Sequence, residues 1–168
     1  MVDNLPYILL ALLLIFLNGV FVAAEFAMVK VRNTQINTIK NSRKFYNRVL
    51  VTINSRLDAY LSACQLGITL TSLALGWIGE PAAAVLLKPL IELMQITDLK
   101  AIEAISFSAA FIMISFLHIV AGELLPKSLS IRFQFKTSLI TGVPIFIFYF
   151  VTYPAIWLLN TRSNYCSG

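Results

Sequence analysis

The sequence predicts an all-α membrane protein with at least three membrane-spanning helices. Three observations lead there. Mean hydropathy is +0.81. Hydrophobic residues make up 58% of the chain against 12% charged. The charges are also grouped rather than scattered, so long uncharged stretches remain between them. A soluble domain of 168 residues cannot hide that much apolar surface, so lipid has to be its solvent.

The uncharged stretches define the elements. They run over 4–24, 59–79, 104–122 and 137–161. Each holds roughly the 20 apolar residues a helix needs to cross ~30 Å of hydrocarbon. The first has Asp3 where a signal peptide would have basic residues, and it is too long for a signal-peptide core, so it reads as a retained span. The segment after it carries Lys30, Arg32, Lys40, Arg43, Lys44, Arg48 and Arg56 with no acidic residue, which places it in the cytoplasm by the positive-inside rule. These charges can also meet anionic headgroups, although setting topology alone explains them. The next loop is acid-rich, with Glu80, Glu92, Asp98 and Glu103 against Lys88 and Lys100, and reads as external. Within it, Glu80-Pro81 suits the start of a short interfacial helix over 81–94. Lys127, Arg132 and Lys136 return the chain to the inside, so the N-terminus is expected outside. Basic residues beside spans argue for a membrane surface and against nucleic acid.

The fourth stretch is open to two readings. Its length suits a span, but Pro144 and Pro154 are expected to break it into short pieces, and Phe146, Phe148, Tyr149, Phe150, Tyr153 and Trp157 suit an interface. The two cysteines, Cys64 and Cys166, offer no disulfide framework and no metal motif. No nucleophile–base set suggests an enzyme or an organic cofactor.

Polar groups within spans are expensive and face protein or water. In the second span Ser62, Gln65, Thr69, Ser72, Gly76 and Gly79 recur at steps of three and four, which gives either a close-packing face or a ligand face. In the first span Asn18 and Glu25 share a face, and Lys30 or Arg32 is the expected partner for the carboxylate. The third span ends Gly122-Glu123-Leu124-Leu125-Pro126-Lys127. Pro126 has no N–H to donate to the Gly122 carbonyl, so that oxygen is freed beside the Glu123 carboxylate. Carbonyl and carboxylate oxygens suit a hard cation; a Glu123–Lys127 pair at i, i+4 is the alternative. His118, one turn earlier, reads as a hydrogen-bonded helix contact rather than a ligand.

The runs LNGVFVAAEFA (Leu17–Ala27), LSACQLGITL (Leu61–Leu70), GWIGEP (Gly76–Pro81) and HIVAGELLPK (His118–Lys127) together resemble the transmembrane domain of the CorC / cyclin M (CNNM) magnesium transporter family, in its bacterial hemolysin-like branch. The resemblance covers the chain to about Leu159. It implies a domain over 1–160 with three spans, near 5–29, 58–79 and 103–125, and a juxtamembrane helical belt near 136–160, followed by a polar tail at 161–168. It also implies a homodimer in the cell inner membrane, in contact with membrane lipids. Such a domain would export Mg²⁺ coupled to Na⁺ entry, or else anchor a regulator of another transporter. Relatives carry nucleotide-binding CBS modules after the belt. None follows here, so the chain reads as part of a longer frame, and ATP would act only through those modules. The implied cation ligands are Thr69, Ser72, Gly122 and Glu123, supported by Asn18, Glu25, Gln65, Pro126 and Lys127. Where magnesium-exporting relatives often have Ser, this chain has Ala24, so one ligand has to come from water or another side chain.

Overall fold

The computed structural model describes the backbone of residues 5–93 and 99–165, and the side chains of 5–79, 104, 105, 107–109 and 111–154. Among the described residues every element of regular structure is a helix. Helix α1 is Leu5–Lys30, α2 is Asn33–Ile39, α3 is Phe45–Ser55 and α4 is Leu57–Leu93. Helix α5, Leu99–Leu117, passes into a π-helical segment, His118–Leu124, and then into α6, Leu125–Arg132. Helix α7 is Gln134–Tyr165. Among the described residues four stretches are long and apolar enough to cross a membrane: Leu5–Lys30, Leu57–Gly79, Phe107–Arg132 and Gln134–Pro154. The molecule is a multi-pass membrane protein by this measure, and the eligible helices exceed the three spans expected from sequence.

Two expectations fail for a common reason. Pro144 and Pro154 do not break the last stretch; both sit inside the 32-residue α7. The expected short helix after Glu80 is instead a continuation of α4, which runs through Pro81 to Leu93, with Met94 outside the described residues. A proline removes one N–H. In an apolar setting every other helical bond is strongly favoured, because no water can replace it. Packing supplies the rest in α7, where Pro144 and Pro154 lie on the exposed side while Ile145 and Tyr149 are buried.

The chain divides into two compact units. One comprises Met1–Gly19 and Thr69–Leu125. Its apolar core is Ala11, Ile15 and Leu75, with Ile8, Leu14 and Ile114 packed on it. Gly79 permits a close approach there, since a Cβ would fall 2.8 Å from Ile114 Cγ2.

The other unit comprises Val20–Ile68 and Pro126–Gly168. Its core joins Phe21, Ala24, Met28, Val49, Ile53, Tyr60, Cys64, Ile145 and Tyr149. Ring centroids lie 4.7 Å apart for Phe21–Phe148 and 4.5 Å for Tyr60–Tyr149, within the range of favourable aromatic contact. Gly67 fits beneath Phe21, whose ring would lie 2.6 Å from a Cβ. The basic segment folds as α2 and α3. Helix α3 is amphipathic, with Val49, Leu50 and Ile53 buried and Arg48, Thr52 and Ser55 exposed. Its buried face packs on α7, where a Cβ at Gly142 would sit 3.5 Å from Ile53 Cδ1 and 3.9 Å from Val49 Cγ1.

Candidate functional site

A buried amide organises the first unit. Asn18 is 2% exposed. Its Nδ2 donates to the Gly122 carbonyl at 3.0 Å. Its Oδ1 accepts from the Thr71 hydroxyl at 2.8 Å and, more weakly, from the Ser72 hydroxyl at 3.4 Å. Ser72 Oγ is also 3.4 Å from His118 Nε2. Ser72 has one hydroxyl proton, so if it donates to Asn18 the imidazole has to donate to Ser72.

The backbone explains why the amide is there. Across the π-helical segment the ladder shifts to i→i−5, as in the bond from Leu125 N–H to the Val120 carbonyl. Pro126 then follows and has no N–H. The Gly122 carbonyl loses its α-helical donor, and Asn18 replaces it from a different helix. The freed carbonyl expected from sequence is therefore not idle: one lone pair meets the Asn18 amide. Glycine at 122 makes room for this close approach. A Cβ would fall 3.0 Å from His118 Cδ2, 3.3 Å from Asn18 Nδ2 and 3.5 Å from the Ile15 carbonyl.

The predicted residues thus separate. Asn18, Ser72 and Gly122 come together. Thr69 lies in the same unit but is exposed, and it is Thr71 that bonds Asn18. Glu123 is exposed next to Gly122 in the chain and is the one carboxylate among the described side chains of this unit. In the second unit Gln65 Nε2 donates to Glu25 Oε1 at 3.4 Å, so the hydrogen-bond partner of this carboxylate is an amide rather than the expected base. Lys127, expected to compete for Glu123, lies with its Nζ 4.5 Å from the Phe26 ring centroid, within cation–π reach. Pro126 is half-buried. Ala24 is fully buried among apolar side chains and serves packing.

Sequence reasoning missed Thr71 because it is off the three-and-four stripe. The adjacent hydroxyls of Thr71 and Ser72 were the signal available. His118 takes the hydrogen-bonding role expected of it.

A model of the cyclin M transmembrane N-terminal domain matches residues 9–168. The chain belongs to this family. Among its cyclin M-type relatives are the UPF0053 proteins YhdT and YugS of Bacillus subtilis. YhdT is 42% identical over 99% of this chain and 36% of its own length. YugS is 45% identical over 90% of this chain and 35% of its own length. Rv1841c of Mycobacterium tuberculosis is 30% identical over 96% of this chain and 46% of its own length. The chain spans less than half the length of these relatives. The cyclin M family is one of membrane transporter or regulator domains rather than an enzyme class.

Proposed function

We propose that this domain is the membrane part of a secondary cation transporter that exports Mg²⁺ in exchange for Na⁺. One observation carries the reading: a π-helical turn whose Gly122 carbonyl is held by Asn18, with the Glu123 carboxylate next in the chain. Broken helical hydrogen bonding at membrane depth is typical of ion sites, where carbonyls are turned toward a cation. Among the described residues no three of His, Cys, Asp and Glu gather. The available donors are neutral oxygens plus one carboxylate, a set suited to a hard ion bound loosely enough to leave. We assign Thr69, Ser72, Gly122 and Glu123 as ligands, with water completing the shell. Asn18 orients the carbonyl, and Na⁺ as counter-ion comes from the family resemblance.

We place the domain in the cell inner membrane as a homodimer, with its N-terminus outside and Lys30–Arg56 inside. In this reading α7 lies along the inner interface rather than crossing. Its packing on α3, which is flanked by Lys44 and Arg56, supports that placement.

A second reading has its own support. Gly67 and Gly79 are used in packing, as a domain that only anchors a regulator requires. Proteoliposomes containing the protein and an internal Mg²⁺ dye separate the two. Mg²⁺ flux that requires the protein and a Na⁺ gradient establishes transport. No flux from a well-folded full-length protein favours the regulator.

A further inference from the structure

In the second unit a groove of about 660 Å³ opens between the basic segment and the start of α7. One wall carries Lys44, Tyr46 and Asn47 above the half-buried Ile39, and the other carries Phe135, Leu139 and Ile140. The two walls differ in chemistry. On the first, Lys44 is exposed, Tyr46 is 59% exposed, and Asn47 is fixed by donating from Nδ2 to Ser42 Oγ at 2.8 Å. Lys40 and Arg43, close by in sequence, are exposed as well, and no acidic residue occurs from Lys30 to Arg56. On the second, Phe135 and Leu139 share a helical face, and Ile140 is 74% exposed.

A cationic, hydroxyl-bearing wall facing an apolar one is complementary to a molecule with an anionic head and a hydrocarbon tail. A small soluble anion has no use for the apolar wall. A zwitterionic lipid brings a cation that the basic segment repels. The apolar wall belongs to a stretch, Gln134–Pro154, hydrophobic enough to enter a membrane, so lipid is what it meets. We propose that this groove binds one anionic phospholipid, its phosphate held by Lys44 and Tyr46 and its acyl chain laid along Phe135, Leu139 and Ile140. The site is independent of which ion the domain carries.

Native mass spectrometry of the detergent-solubilised protein, titrated with phosphatidylglycerol or phosphatidylcholine, tests the proposal. The protein should retain phosphatidylglycerol at least about fivefold better than phosphatidylcholine. Lys44→Gln should weaken phosphatidylglycerol about fivefold, the effect of one lysine near an anionic headgroup. Ile140→Asn, at an exposed position with all charges kept, should also weaken it. Arg56→Gln removes the same charge outside the groove and should leave retention unchanged. Equal retention of the two lipids overturns the proposal, as does full retention in Lys44→Gln. An equal loss in Arg56→Gln shows diffuse charge attraction and no site. Competition by inorganic phosphate at the same concentration as the lipid shows a free-anion site instead.

Discussion

The two units bury polar side chains in different ways. In the unit of Met1–Gly19 and Thr69–Leu125, Asn18 bonds Gly122 across 104 positions of sequence and Thr71 across 53. In the unit of Val20–Ile68 and Pro126–Gly168 the buried Ser130, Ser138 and Thr141 bond carbonyls three or four residues back on their own helices, those of Lys127, Gln134 and Thr137. Such local bonds say nothing about which helix packs on which. That unit is instead specified by the shapes of Phe21, Tyr60, Ile145, Phe148 and Tyr149. A long-range polar bond costs much when broken, because a buried group that loses its partner keeps its desolvation cost. A shape contact loses energy in proportion to the volume removed. The first arrangement suits a place where chemistry is done, and the second suits a scaffold.

The largest expected effect tests whether the polar unit is the working one. Glu123→Gln keeps size and a carbonyl oxygen but removes the charge. Because Glu123 is exposed, stability should shift by no more than about 0.5 kcal/mol. Mg²⁺-dependent flux, and the Mg²⁺-dependent melting shift, should fall by more than the ~10–100-fold typical of groups that merely support a metal ligand. Wild-type stabilisation by Mg²⁺ in this variant would remove Glu123 from the site. The assay should be repeated with Mn²⁺, Ca²⁺ and Na⁺, since Ala24 supplies no oxygen.

Asn18→Leu comes next. It leaves the Gly122 carbonyl and the Thr71 and Ser72 hydroxyls without their common partner. The Gly122 carbonyl stripped of this donor costs about 1–3 kcal/mol, so melting in detergent should fall and flux with it. Asn18→Asp retains the oxygen for Thr71 but turns an anion toward the carbonyl. It should be nearly as damaging, and recovery to wild-type melting would show that the Nδ2 bond is unimportant.

In the scaffold unit, Ile145→Ala should lower stability by about 2–5 kcal/mol and leave the Mg²⁺ affinity of the remaining folded protein unchanged. A change in that affinity would blur the contrast between the units. Gly122→Ala should cost about 1–3 kcal/mol by overpacking, and, unlike Ile145→Ala, it should impair ion binding as well. The smallest effect belongs to Gln65→Ala. The 3.4 Å bond to Glu25 is long and exposed, and its loss should stay within about 0.5 kcal/mol by melting.

Much of the architecture was legible in the order of residues. Gaps between charges located the long apolar helices, because a bilayer excludes charge over a known thickness. Gly122-Glu123 followed by Pro126 marked a disturbed helix end. These are local properties, carried by length, charge and the absence of one N–H. Tertiary structure decided the rest. That Asn18 answers the missing donor, that Thr71 rather than Thr69 completes the amide, and that Glu25 pairs with Gln65 all depend on which helices meet and in what rotation. Nothing in one helix states this. The prolines of α7 show the same limit. A proline's local penalty is readable from sequence, but whether a helix survives it depends on burial of the neighbouring turns, here Ile145 and Tyr149, against side chains more than eighty positions away.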